Sequence, residues 1–564
     1  MDRQRTRYLL LLVPVVVLIL LLSGSLPRRP GVARAPSGSR LAGTARTAPV
    51  AVRANRLVAS TPCTGRFERH ALPHTTTNGN AAIRMFNSNG SGLAIDDLDG
   101  DGDEDVVLAN LAGPNSILWN EGKLVFRMQK LEHGDSRAVN IVDVNGDGKQ
   151  DILFSRHTLP PTLWRNLGRG RFVEDTLPGV DGKVYATNWA DMDGDGDLDL
   201  VAGAYDAGLE KDLGYNFMFT RSGGGLYVYE NRGAEFVGQK LSERAEALAV
   251  ALPDLDGDGQ PEIMVGNDFD LPDEVWRRSG EAWNLITPFR KTTHSTMSLD
   301  LGDIDNDGVQ EVFASDMKPY DQSVRTLAQW RPMMAQMPHK PVRGDRQVME
   351  NVLQVRADNG TYRNEAYDRY VDATGWSWSA KFGDLDRDGF LDLYVVNGMI
   401  ANDLFHYLPH GELVEQNRAL RNDGQAHFRH APEWGLGSTA SGRGMSMADM
   451  DNDGDIDIIV NNLGGPVVLF ENRLCGGSAV LVDLRQNHSP NTRAIGARLV
   501  LRTTSGSYHR DVRVASGYLS GDPSRVHFGI PDGATVRRLE VRWPDGAVSI
   551  VSSVRVNRLL TVTR

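Results

Sequence analysis

From residue 91 to residue 129, short apolar runs alternate with polar turns: "SGLAI", an acidic stretch, "DVVLAN", "SILWN", the turn "EGK", then "LVFRMQ". Runs of this length bounded by Gly, Asn and Asp predict strands, which we label A to D. The unit recurs. "DILFS", "LDLVAG", "EIMVGN", "LDLYVVN" and "DIIVNN" follow further acidic stretches as B strands. The C–turn–D signature returns as "TLWRNLGRGRFVE", "LYVYENRGAEFVG", "EVWRRSGEAWNLI", "NVLQVRADNGTYRNE" and "ALRNDGQAHFRHA". Four antiparallel strands per unit, repeated radially, predict an all-β propeller. Residues 478–564 continue as alternating strands ("AVLVDLR", "ARLVLRTT", "HRDVRVA", "RVHFGI", "RRLEVRW", "RLLTVT") and predict a small β-sandwich or barrel docked beside it.

The stretch between A and B is the most regular feature of the chain. It begins at Asp97, Asp143, Asp191, Asp254, Asp303, Asp384 and Asp449, and every copy fits D-x-[DN]-x-D-G-x-x-[DE]. Seven copies predict seven blades. A hard cation such as Ca²⁺ takes six to eight oxygens from carboxylates, carbonyls and water. Alternate residues of a tight loop turn their oxygens inward, and Gly at position 6 permits the turn. An EF-hand closes with Glu at position 12 between helices. Here the closing acid is at position 9 and the flanks are strands. The expected ligands, at positions 1, 3, 5, 7 (carbonyl) and 9, are Asp97, Asp99, Asp101, Asp103 and Asp105 in the first loop. They are Asp143, Asn145, Asp147, Lys149 and Asp151 in the second, and Asp191, Asp193, Asp195, Asp197 and Asp199 in the third. The fourth loop offers Asp254, Asp256, Asp258, Gln260 and Glu262, and the fifth Asp303, Asp305, Asp307, Val309 and Glu311. The sixth offers Asp384, Asp386, Asp388, Phe390 and Asp392, and the seventh Asp449, Asp451, Asp453, Asp455 and Asp457. Up to seven Ca²⁺ are expected.

Charge follows the loops. They hold 31 of the 73 acidic residues and two basic ones, Lys149 and Arg387, so seven Ca²⁺ would set +14 against a formal net charge of −12. The acidity lies in the loops rather than over the surface. No basic face interleaved with aromatics points to nucleic acid.

The N-terminus carries Arg3, Arg5 and Arg7 before the apolar run "LLLLVPVVVLILLL" at 9–22. That run suits a signal peptide over 1–25, or an uncleaved signal anchor, which would be the one link to a membrane. Residues 26–62, rich in Ala, Arg, Ser and Pro, read as a flexible linker. The propeller then spans 63–477, in a secreted, periplasmic or cell-surface protein.

Blade seven has strands A ("GMSMAD"), B ("IDIIVN") and C ("VVLFEN"), but Cys475-Gly-Gly stands where strand D should follow. "GRFERHAL" at 65–72 resembles the D strands "GRFVEDTL" and "AHFRHAP", so it is expected to close the ring. By the register of blade one, Cys63 then faces Cys475, and export favours a disulfide.

The loops resemble FG-GAP/VCBS repeats of integrin-type propellers. Residues 495–546, with "IGAR", "SGYLS", "HFG" and "VRWPDG", are similar to the ASPIC/UnbV domain. Together with "WSW" at 376–378 they resemble the cartilage acidic protein family, bacterial type. The resemblance implies secretion, calcium binding and adhesion-like roles. Some bacterial members resemble proteins encoded near natural-product pathways, including enediyne clusters.

No HExxH, GxSxG, Walker A or Rossmann motif is present. Ser446 reads as a strand residue, "RGD" at 343–345 as a chance triplet, and Trp376 and Trp378 as core. The reading leans away from an enzyme and towards an adhesion module for a macromolecule or glycan. The ligand is expected on the face opposite the loops, where insertions near 205–225, 316–350 and 398–417 fall. The alternative is a lyase, hydrolase or cyclase using the propeller as scaffold. Perturbed carboxylates away from the loops would favour it.

Overall fold

The computed structural model describes residues 46–59, 62–79, 82–132, 134–157, 159–207, 224–269, 271–336 and 346–564. The expected signal segment, the linker up to residue 45 and the RGD triplet lie outside them. So do most of the first insertion and residues 337–345 of the second.

The first unit folds as its pattern predicts. Leu93–Asp96, Asp105–Leu108, Ser116–Asn120 and Phe126–Lys130 pair antiparallel in that order. The first three strands are buried throughout, and the fourth is mostly exposed. Six further sheets repeat the order among the described residues. Their first strands are Ser136–Val142, Ala186–Ala190, Ala247–Ala251, Ser298–Gly302, Gly375–Gly383 and Gly442–Ala448. These seven first strands are innermost and touch one another in a closed cycle, the seventh lying against the first. The sixth sheet gains a short fifth strand, Met317–Lys318.

The seventh sheet takes its outer strand from the other end of the chain. Glu68–Thr75 pairs with Pro466–Glu471, with Glu68 opposite Glu471 and Ala71 opposite Val468. A disulfide joins Cys63 to Cys475 beside this pairing, with Cα atoms 5.3 Å apart. The homology between D strands thus located both the closing strand and its staple.

The C-terminal unit is a sandwich of two four-stranded sheets around Val480, Val482, Leu499, Leu501, Phe528, Leu539 and Trp543. One sheet holds a strand the sequence reading missed. Ala51–Arg56, inside the expected linker, pairs with Arg558–Thr563 at its edge. All six of its side chains are exposed. It is held by backbone pairing alone, so a composition argument that looks for core formers cannot see it. Leu57, which follows, is buried.

The sandwich also does not sit beside the ring. It covers the end where the acidic loops lie and inserts a hairpin, Ala515–Ser516 and Ser520–Gly521, among the inner strands. There Gly517 N–H donates to Leu299 O at 2.8 Å and Val139 N–H to Leu519 O at 3.3 Å. Ser446 Oγ donates to Gly521 O at 2.9 Å. Tyr518 is fully buried, and its hydroxyl accepts from Gly90 N–H at 2.8 Å. Gly92 is required here, because a Cβ would stand 2.1 Å from Leu519 O.

Gly90 belongs to a segment that crosses the other end of the ring. Asn402 N–H donates to Ile83 O at 2.8 Å on one side. Phe86 lies 6.2 Å from the Tyr205 ring and 6.0 Å from Phe269 on the other. The channel is therefore filled from both ends.

Candidate metal centres

In all seven loops the position-5 side chain accepts the N–H of position 7, at 2.7 to 3.1 Å. In six, the position-1 carboxylate accepts the N–H of the position-6 glycine, at 2.8 to 3.1 Å. That glycine has φ between 86° and 99° in every loop, a region other residues rarely adopt. The backbone thus turns the carboxylates inward and leaves lone pairs free.

Three carboxylates converge within 4.8 Å of one another in at least five loops. The sets are Asp97/Asp99/Asp101, Asp191/Asp193/Asp199, Asp254/Asp256/Glu262, Asp303/Asp305/Glu311 and Asp384/Asp386/Asp392. Asp197 Oδ1, Asp384 Oδ1, Asp386 Oδ1 and Asp451 Oδ1 are buried with no hydrogen-bond partner. An orphaned carboxylate oxygen is costly, and a hard cation satisfies it. Burial, reinforced by neighbouring carboxylates, pushes Glu311 up to about 9 and Asp449 to about 8. Burial likewise lifts Asp105 to about 8 against two backbone N–H bonds. The residues present fit Ca²⁺. When bound, the ion would be held by the carboxylates at positions 1 and 3, joined by position 5 in the first loop and by position 9 in the other four, and would neutralise their repulsion.

Position 9 does more than close a shell. In each loop one of its oxygens accepts the N–H of position 2, at 2.7 to 3.3 Å. In five, the other oxygen accepts from an asparagine on strand C: Asn120, Asn166, Asn231, Asn422 or Asn472. Sequence reasoning did not assign these asparagines a role, although they end the repeated "LWN", "WRN", "YEN", "LRN" and "FEN". Four of their side chains reach across blades. Asn166 Nδ2 donates to Leu98 O at 2.8 Å, Asn422 to Ile304 O at 2.8 Å and Asn472 to Leu385 O at 2.8 Å. Asn120 Nδ2 donates to Met450 O at 2.7 Å, so the last loop is tied to the first blade. Each acceptor is position 2 of the preceding loop.

Basic side chains reach some loops. Arg498 of the sandwich lies 2.6 Å from Asp254, and Arg277 lies 2.7 Å from Glu262 and 3.2 Å from Asp256. Arg421 lies 2.6 Å from Asp386, and Lys149 lies 2.6 Å from Asp147 within its own loop.

Of the remaining sequence candidates, Ser446, Trp376 and Trp378 are buried, as read. Carboxylates away from the loops are also perturbed. Burial pushes Glu246 and Asp316 up to about 8 and raises Asp268. Their oxygens are already engaged. Asp316 accepts N–H bonds from His294, Ser295 and Met317, and Glu246 from Asp206 and Ala207. Asp268 accepts from the Tyr205 hydroxyl at 2.8 Å and from Phe269 N–H at 2.9 Å.

Family models match both the repeats and the C-terminal domain. Residues 97–154, 143–202, 254–314 and 409–460 match the FG-GAP-like repeat model, and 487–564 match the ASPIC and UnbV model. A 200-residue stretch is 28% identical to cartilage acidic protein 1 of Xenopus tropicalis, covering 32% of this chain and 27% of that protein. The match thus spans about a quarter of the curated relative. BBS1N, solved in complex with ARL6DN, overlaps at a TM-score of 0.40 and 11% identity over 72% of this chain and 96% of that one. The rhamnogalacturonan lyase PL11 of Bacillus licheniformis overlaps at 0.37 and 13% identity, over 73% of this chain and 76% of that one. No helix among the described residues is long and apolar enough to cross a membrane. The chain carries FG-GAP-like repeats in an all-β, propeller-like ring, followed by an ASPIC and UnbV domain.

Proposed function

We propose that this is an exported calcium-binding propeller that recognises a macromolecule or glycan on the face opposite its acidic loops. The observation that carries this reading is the placement of the sandwich. It occupies the loop end and its hairpin fills the channel, so the surface left for a ligand is the opposite end, which the segment around Phe86 crosses. That end carries the insertions. The helix Val324–Gln336 lies there with Trp330 buried, its ring 5.7 Å from Trp376 and its Nε1 donating to Glu415 at 3.2 Å. A packed helix is a rigid platform for the loops around it. The disulfide fits an oxidising compartment.

The perturbed carboxylates near Asp268 favour the enzyme alternative. Their backbone bonds make them strand-end anchors in our reading, and binding without catalysis is the account we adopt. The test replaces residues 337–345 with a Gly/Ser linker, because removing Trp330 as well would strip a buried side chain. Binding to a panel of immobilised glycans and to cell surfaces should fall, with the melting curve in Ca²⁺ unchanged. Full binding by the variant would move the site elsewhere.

A further inference from the structure

We propose that the C-terminal sandwich reads the calcium state of the ring: it seats on the closed form of the loops, and its 515–521 hairpin stays in the channel only while they are closed. This rests on the calcium reading above. Among its contacts with the loops, the sandwich repeatedly touches the residue whose conformation defines the closed loop, the position-6 glycine. Arg525 Nη2 donates to Gly102 O at 3.1 Å, Asn491 N–H to Gly196 O at 3.3 Å, and His527 Nε2 lies 3.0 Å from Gly454 O. At Gly389 and Gly308 the approach is direct. A Cβ on Gly389 would stand 2.6 Å from the Tyr508 ring, and one on Gly308 would stand 3.3 Å from His509. Five loops around the ring are touched in this way.

The contact residues bracket the hairpin in sequence. Tyr508 and His509 precede it, and Arg525 and His527 follow it, so the seat and the plug are one continuous stretch. Without a cation, the inward carboxylates of each loop repel, and the turn at the glycine relaxes. The seat then loses its shape, and the hairpin loses the scaffold that presents it. The pair Lys381–Asp522 and the pair Arg513–Asp300 at 2.8 Å hold the stem independently of the loops. Release is therefore a local opening of the hairpin, not departure of the sandwich. Linkage makes the effect reciprocal: whatever loosens the hairpin must weaken calcium.

The experiment uses the full exported chain. Hydrogen exchange at amides 515–521 is compared in Ca²⁺ and in EGTA, at a temperature where inner-strand amides such as Val106 remain protected. Calcium binding is measured separately by isothermal titration. We expect exchange at 515–521 at least tenfold faster in EGTA and reversed by Ca²⁺. If no ion binds, the calcium reading itself fails. If ions bind and the hairpin exchanges at one rate in both buffers, or faster in Ca²⁺, this inference is overturned. Should EGTA unfold the whole ring, Tyr518→Phe decides. It removes the hydroxyl that accepts from Gly90 at the far end of the channel and touches no loop. Calcium affinity about fivefold weaker supports the linkage, and unchanged affinity overturns it.

Discussion

Loops three and four are spelled almost alike, "DMDGDGDLD" and "DLDGDGQPE", yet they balance their charge differently. Around loop three no basic side chain forms an ion pair with a loop carboxylate among the described residues, and Asp197 Oδ1 is left buried without a partner. Burial and the Asp195 charge lift Asp197 to about 7. Around loop four, Arg498 and Arg277 contact Asp254, Asp256 and Glu262. In the proposed calcium-bound state loop three would rely wholly on the cation, whereas loop four holds part of its counter-charge within the chain. Nine residues therefore specify the shape of a site, but not how strongly it needs its ion.

The comparison breaks outright if no loop needs calcium. We expect chelation to lower the melting temperature by about 10 °C or more, because several sites each lose ligand-linked stabilisation. Added Ca²⁺ should restore it, and a calorimetric scan in EDTA and in Ca²⁺ checks this. The chelated form should also respond to acid. Burial raises Asp199 to about 7 and Asp449 to about 8. A carboxylate raised on folding contributes stability below its unfolded value near 4 and loses it as pH rises through the folded value. Chelated protein should therefore melt higher at pH 5 than at pH 8. A flat profile would show that the loop carboxylates are not strained without metal.

The ring's closure sets the next scale. Replacing Cys475 by Ser should destabilise the chain by at most about 6 kcal/mol on the loop-entropy model, and by less in practice. Calcium titration of that variant should still show binding, which separates the staple from the loops. Smaller still, Asp195→Ala should cost more stability in Ca²⁺ than Asn145→Ala. Each of these side chains accepts one N–H bond at 3.0 Å, from Asp197 and Asp147 respectively. The two replacements thus lose the same single N–H bond, and only Asp195→Ala also removes a carboxylate charge. The finest test of the comparison is Arg277→Gln. Removing a cation that contacts Glu262 should tighten calcium at loop four about twofold to threefold. The matched change Arg232→Gln beside loop three, where the guanidinium pairs with Glu230, should do little.

What the sequence revealed follows the same division. Strand order, the seven loops, the strand borrowed from residues 68–75 and the Cys63–Cys475 pair were all legible, because each repeats or completes a local pattern. The edge strand at 51–56 was not, since it buries no side chain. The seat of the sandwich on the loops was equally hidden. Contacts such as Tyr508 on Gly389 join residues more than a hundred positions apart with no shared motif. The strand-C asparagines stood in plain view in five of the quoted repeats. Their role appears only when position 9 is seen accepting their N–H and position 2 of the preceding loop is seen accepting their amide.

The central claim is that the loops bind calcium as a set. Equilibrium dialysis of the full chain against micromolar to millimolar Ca²⁺, with the bound metal counted by mass spectrometry, tests it most directly. The account predicts five or more ions per chain, one for each loop whose carboxylates converge. Fewer than five at saturating Ca²⁺ would contradict it.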